Sequence, residues 1–219
     1  MSGPGTAIEV LAILSGKAQS FRGSEPSAIA KTPREGPVAV GPLGLEGDEQ
    51  AELSVHGGPD KALHHYPADH YPFWRGVLGE LPLLSQAGAF GENIATLGLT
   101  EREVCLGDRF RLGSALIEVS QGRQPCWKQG HRLGNPSAVA LMVTYRFSGW
   151  YYRVLEPGVV TAGDSIDLLE RPLPEWDIER VFGLLIGGDG ADDPAALRAL
   201  AGLEVLSAPW RTRAAMMLD

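Results

Sequence analysis

Cysteine is scarce in this chain, with only Cys105 and Cys126 among 219 residues. Two thiols are too few for a disulfide framework, a four-cysteine zinc site or an iron–sulfur cluster. Long apolar runs are missing as well. No stretch reaches the roughly 18 residues that a membrane helix needs, and Met1-Ser2-Gly3-Pro4-Gly5 has neither the basic nor the apolar region of a signal peptide. The expectation is a soluble cytoplasmic protein without a membrane partner. Basic charge is in deficit, 19 Lys and Arg against 27 Asp and Glu for a net charge of −8. No global field therefore draws nucleic acid, and an anionic ligand needs a local basic pocket. No Gly-x-Gly-x-x-Gly follows a strand-like run, so no resident nicotinamide is expected, and pyridoxal phosphate is not expected either. Solenoid-length repeats and low-complexity segments are absent.

What the chain has in plenty is turn chemistry: 28 glycines and 16 prolines, which favour short strands over long helices. Ile8–Leu14 reads as a first strand, Val38–Val40 as a second between two Gly-Pro brackets, and Phe90–Thr96 as another. Residues 67–75 read as a short helix whose start Pro72 disputes. Thr100-Glu101-Arg102-Glu103 has the form of a capping box, which predicts a helical turn after Leu99. Asp108–Leu112 and Ala115–Val119, joined by Gly113-Ser114 with glycine first, form a hairpin of type II′. Asn135-Pro136 opens a helix over 136–147 that closes near Gly149. Trp150–Leu155, Val159-Val160 and Ser165–Glu170 complete the strand set. After Arg171-Pro172-Leu173-Pro174 the pattern turns helical, with helices expected over 178–186, 194–201 and 208–217. The expected fold is mainly β over residues 1–172, followed by a small three-helix unit over 173–219. So short a helical tail buries little by itself and should pack on the β domain or on a partner.

The stretch most suited to chemistry is Gln121-Gly122-Arg123-Gln124-Pro125-Cys126-Trp127-Lys128. Arg123 and Lys128 favour the thiolate of Cys126, the form that attacks electrophiles and binds metals. Cys126 can be a nucleophile, a metal ligand or packing, whereas Cys105, between Val104 and Leu106, reads as structural. A second candidate is His56-Gly57-Gly58-Pro59-Asp60-Lys61, where glycines let backbone N–H groups approach an anion and Lys61 adds a charge. If 62–66 is a strand, His64 and His65 point to opposite faces, so at most one of them shares a site with this loop. A zinc site from His56, His64 and His70 lacks a recognised ligand spacing. Glu92-Asn93 sets polar groups in an apolar frame, where they must find partners if buried.

His56-Gly57-Gly58-Pro59-Asp60-Lys61-Ala62, Phe90-Gly91-Glu92-Asn93-Ile94, Gly107-Asp108 and Gln124-Pro125-Cys126-Trp127-Lys128, in that order, resemble the motifs of the MOSC domain family, the molybdenum cofactor sulfurase C-terminal domain, in its YiiM-like branch. The resemblance covers about residues 8–170, and the tail is similar to the three-helix extension of that branch. It implies a β-barrel domain that binds the molybdopterin form of the molybdenum cofactor, with the family cysteine falling on Cys126 as metal ligand. A thiolate is a soft donor suited to such a metal. Lys61, Arg123 and Lys128 with the Gly57-Gly58 backbone are the candidates for the cofactor phosphate, and Asp60, Glu92, Asn93 and Gln124 lie in the same motifs. The implied activity is reduction of N-hydroxylated compounds such as hydroxylamino purines. Electrons would come from an external flavin or iron–sulfur reductase, and His56, His64 or His65 would relay protons. Three other readings stay open: a carrier of cofactor or sulfur with a persulfide on Cys126, a cysteine hydrolase or transferase, and a scaffold.

Overall fold

The computed structural model describes residues 8–53 and 57–218. In chain order the strands are β1 (Ile8–Ser15), β2 (Gln19–Arg22), β3 (Glu25–Ser27), β4 (Thr32–Pro33), β5 (Val38–Gly41), β6 (Gly44–Leu45), β7 (Leu63–Pro67), β8 (Ile94–Thr96), β9 (Arg109–Leu112), β10 (Ala115–Gly122), β11 (Trp150–Glu156), β12 (Gly158–Val160) and β13 (Ser165–Glu170). Seven of them close a barrel in the order β13-β9-β10-β11-β7-β8-β1, with β1 returning to β13 through Ile8 opposite Ile166. Closure removes the exposed edges of an open sheet. The ring is antiparallel except for β7 beside β8. The β-barrel expected from the sequence is therefore present.

Alternation along the strands fills the barrel. Val10, Ile13, Leu63, Phe110, Leu112, Ile117, Val119, Trp150, Tyr152 and Ile166 face inward and pack together, each large apolar side chain contributing about 1.5–3 kcal/mol by leaving water. The β9–β10 hairpin turns at Gly113, whose φ of 55° suits the first position of a II′ turn.

Four local expectations change. The strand expected over 90–96 survives only as β8, because the buried Glu92 carboxylate accepts from Gly88 N at 2.6 Å, Phe90 N at 3.0 Å and the Tyr71 hydroxyl at 2.5 Å, which curls residues 88–92 into a loop. Thr100–Glu103 is a turn, not a helix. Its Glu103 carboxylate does cap Thr100 N at 3.0 Å, but Glu103 N donates to Thr100 O and the chain then leaves for a bridge between Cys105 and Asp177. The helix expected over 136–147 runs Ala138–Tyr145 and ends at Arg146, which adopts φ 59°. Gly149 instead lets β11 approach β7. The fourth is an added helix, Trp127–Arg132, beginning inside the octad.

The tail forms helix Ile178–Phe182, extended by a π turn over Gly183–Gly187, then helices Pro194–Gly202 and Ala208–Met216. Asp177 and Asp193 cap the first and second by accepting from Arg180 N and Ala196 N. Trp176, Val181, Phe182, Leu197, Leu200 and Trp210 make a second core that includes Leu106 of the barrel domain. Trp210 also lies over Gly122, where a Cβ would come within 3.0 Å of its ring. The tail thus buttresses the end of β10, where the octad begins. No helix among the described residues is long and apolar enough to cross a membrane.

Candidate functional site

An open cleft lies at the end of β10. Its walls come from four places: Ser27–Ile29 and Lys31 at the end of the β2–β3 hairpin, Asp48–Ala51, Phe90–Asn93 without Glu92, and Arg123, Gln124, Cys126 and Lys128 of the octad with Gln129; Lys61, His64 and Tyr151 complete it. Four cations, Lys31, Lys61, Arg123 and Lys128, and one thiol, Cys126, line this space in a protein of net charge −8. Asp48 and Glu49 line it too, Asp48 pairing with Lys31, so the cleft keeps an excess of positive charge at Lys61, Arg123 and Lys128, the local basic pocket an anionic ligand requires.

The octad is held by its backbone. Arg123 N donates to Gly149 O at 3.0 Å and the Ser148 hydroxyl donates to Arg123 O at 2.5 Å. Cys126 is extended, with φ −129° and ψ 169°, and stands at the N-cap of helix Trp127–Arg132. Gln129 reaches back to accept from Cys126 N at 3.2 Å and from its thiol at 3.4 Å. The thiol is half-buried. Arg123 is 6% exposed, and its Nη1 is buried without a hydrogen-bond partner. An unmade hydrogen bond to a buried charged group is expensive, and a guanidinium fork matches a phosphate or carboxylate, so this atom points to an anion. The phenol of half-buried Tyr151 lies beside the same guanidinium. Burial raises its pKa, while Arg123 works in the opposite direction. Lys128 Nζ donates to Pro26 O at 3.4 Å, tying the β2–β3 hairpin to the octad. Burial lowers the pKa of Lys61.

The adjacent histidines of β7 part company. His64 lines the cleft, with Nε2 3.3 Å from Ser148 O. Burial first, and then the charge of Arg123, hold its pKa well below the ordinary value, so it is neutral with Nε2–H donating to that carbonyl. His65 lies inside the barrel, hydrogen-bonded to the Tyr152 hydroxyl at 3.0 Å and Thr96 Oγ1 at 2.9 Å and packed on Trp150. Burial pushes its pKa down to about 3. His65 is a core residue and cannot relay protons in the cleft.

Other expected site residues hold the scaffold. Asp60 turns away from the cleft, accepting from Arg153 Nε at 2.9 Å through its carboxylate and from the Ser120 hydroxyl at 2.6 Å through its carbonyl. Glu92 is spent on the loop that it curls. Gly57 and Gly58 precede the turn Pro59–Lys61, and the described cleft lining takes in Lys61 but neither glycine. Asn93 and Gln124 do line it. Asn93 Oδ1 accepts from His64 N at 3.0 Å, and its Nδ2 donates to Leu14 O and Asp48 Oδ2. His56 lies outside the described residues. His70 pairs with Glu101 at 2.7 Å and stacks on Phe147, so it is committed elsewhere than to a zinc site with His64. The sequence reasoning missed Lys31, Asp48, Gln129 and Tyr151. For Asp48 the only signal in the sequence is the preceding Gly47, which marks a turn.

The MOSC domain signature matches residues 52–167. The chain is also 47% identical over 159 residues to Protein YiiM of Escherichia coli, covering 73% of this chain and 71% of that protein. The chain belongs to the MOSC domain family. The MOSC fold extends beyond the matched segment. The crystal structure of YiiM from Geobacillus stearothermophilus superimposes with a TM-score of 0.82 at 35% identity, covering 97% of this chain and 100% of that one. A Gibberella moniliformis protein called Reductase is 42% identical over 166 residues, which are 75% of this MOSC chain and 29% of that longer protein.

Proposed function

We propose that this MOSC chain binds the molybdopterin form of the molybdenum cofactor in the cleft and reduces N-hydroxylated compounds, hydroxylamino purines among them, with electrons from an external flavin or iron–sulfur reductase. The observation that carries the reading is the meeting of Cys126 with Arg123, whose buried Nη1 lacks a partner, in one cation-lined cleft. The donor set suits the group. No three metal-ligating side chains converge among the described residues, and a metal held at Cys126 would draw further donors from its own cofactor, for which a dithiolene is suited. Arg123, Lys61 and Lys128 would hold the phosphate, Cys126 would add a sulfur to the metal, and exposed Gln124 stands at the mouth. When bound, the cofactor supplies two-electron redox chemistry. The name of the Gibberella relative, Reductase, favours the same class.

The test is metal and pterin content of the protein purified from a molybdopterin-producing host, beside Cys126→Ser. Wild type loaded and the variant depleted is the expected result; neither loaded, or both equally, overturns it. The half-exposed thiol favours one second reading, a carrier of cofactor or sulfur. A stable persulfide on Cys126 by native mass spectrometry, with no turnover of hydroxylamino substrates, would select that reading.

A further inference from the structure

Reduction of an N-hydroxyl group breaks an N–O bond and consumes two electrons and two protons, giving an amine and water. The oxygen leaves more readily as it takes up a proton than as hydroxide, so an acid positioned in the cleft speeds the step. The expected histidines do not supply that acid: His65 is sealed in the barrel, and His64 is neutral with its N–H given to Ser148 O. Arg123 is assigned to the anion, burial makes the Tyr151 phenol a weaker acid, and Cys126 is assigned to the metal.

Lys31 remains, in a site built around it. Its backbone is clasped between two glycines: a Cβ on Gly88 would fall 2.9 Å from Lys31 O, and one on Gly16 would fall 3.2 Å from Lys31 Cγ. Its side chain is 7% exposed and its ammonium pairs with Asp48, itself 2% exposed. Asp48 has no freedom of its own, because Oδ1 also accepts from Gly16 N at 2.8 Å and Oδ2 from Asn93 Nδ2 at 2.9 Å. A flexible lysine is thereby fixed at a lining position of the cleft that holds Cys126 and Arg123. Its charge is already matched by Asp48, which makes it a poor phosphate clamp. Its fixed position in the cleft, and not that pairing, suits it to an acid's role, since Asp48 by itself holds the proton on Lys31.

We propose that Lys31 is the proton donor of the cleft, with Asp48 as its fixed counter-ion. The assignment rests on the reductase reading above. As the N–O bond breaks, the external flavin or iron–sulfur reductase furnishes the two electrons. Lys31 Nζ gives one proton to the departing oxygen and becomes an amine, the second proton comes from solvent, and water re-protonates Lys31 through the open cleft. Burial is the largest influence on its acidity and lowers its pKa, against the opposing pull of Asp48 and, further off, Glu92. His64, Lys61, Arg123 and Lys128 share the cleft wall. The net direction brings the group toward the pH at which a general acid works best.

Two measurements test this. The first is acetic anhydride trace-labelling of the metal-free wild-type chain across pH, read lysine by lysine by mass spectrometry. Lys31 is expected to titrate below the ordinary lysine range, and lower still in Asp48→Asn; a midpoint in or above that range overturns the assignment. The second compares cofactor-loaded wild type with Lys31→Arg, which keeps the charge and withholds the proton. The expected result is retained molybdenum and pterin, kcat lower by roughly 10²–10⁴-fold, a KM nearly unchanged, and loss of the alkaline limb of the kcat profile. Full kcat with that limb intact overturns the role of Lys31 and leaves the reductase reading standing. Loss of cofactor from Lys31→Arg also overturns it, by making Lys31 an anion holder. A wild type without cofactor or turnover overturns both.

Discussion

His64 and His65 are neighbours in one strand, and pleating sends them to different environments with different consequences for pH. His65 is held neutral in the barrel with a pKa of about 3, whereas in an unfolded chain it titrates near 6.5. Its folded value is depressed, so the unfolded state binds the extra proton as pH falls below about 6.5, and stability drops through that window. Between pH 7 and 5 the loss from His65 alone is about 2 kcal/mol. His64 acts in the same direction. Urea unfolding of His65→Gln at the two pH values should show that the difference between them shrinks by about this amount, whatever the variant's stability at pH 7. Cys126 permits a complementary prediction. It stands at a helix N-cap, where serine is a better residue than cysteine, so metal-free Cys126→Ser should melt no lower than wild type while failing to retain molybdenum. A lowered Tm in the calorimeter would assign Cys126 to the fold.

At the scale of elements, the seam between β7 and β11 holds the site together. Trp150 pairs with His65 and Tyr151 with His64, so one seam brings both the His64 ring and the Tyr151 phenol to the cleft. Gly149 makes the seam possible: it has φ 73°, and a Cβ there would lie 2.1 Å from His65 O. The same residue accepts from Arg123 N. Gly149→Ala should therefore destabilise by more than the roughly 1–3 kcal/mol of backbone strain alone, measured by denaturant midpoint, and should weaken anion binding at Arg123 in whatever folds. Pairing of β9 with β10 needs no such help, because a two-residue turn brings its strands together locally. For that reason the hairpin was legible in the chain, whereas the seam, joining residues some 85 positions apart, was not.

For the whole molecule, the helical tail and the barrel share side chains instead of merely touching. Ile178 packs in the barrel core and Leu106 in the tail core, and Arg153 of β11 donates to Val205 O at 2.9 Å. Trp210, 5% exposed, sits over the last residue of β10. Trp210→Ala should cost about 3–5 kcal/mol, and because its cavity opens beneath Gly122, loaded protein should also release cofactor faster. Equilibrium unfolding and metal retention on dilution check the two parts. A tail that folded independently would give the stability loss without the second effect.

Length, turn residues and alternation determined the mainly β character of the first 172 residues, the three tail helices and the place of Cys126 at the end of a hairpin, because these features follow from period-2 burial, glycine's positive φ and helix caps acting within a few residues; the closed barrel was implied only by the family resemblance. Tertiary structure alone decided which polar residues meet. Lys31 and Asp48 are 17 positions apart, and only folding pairs their side chains and buries both. Glu92 looked like a site residue and became the anchor of a loop because Gly88 N and Tyr71 arrive beside it. Whether a charged side chain holds a ligand, a loop or a proton depends on the partners that folding delivers to it and on the water that it loses. Neither is written in the local sequence.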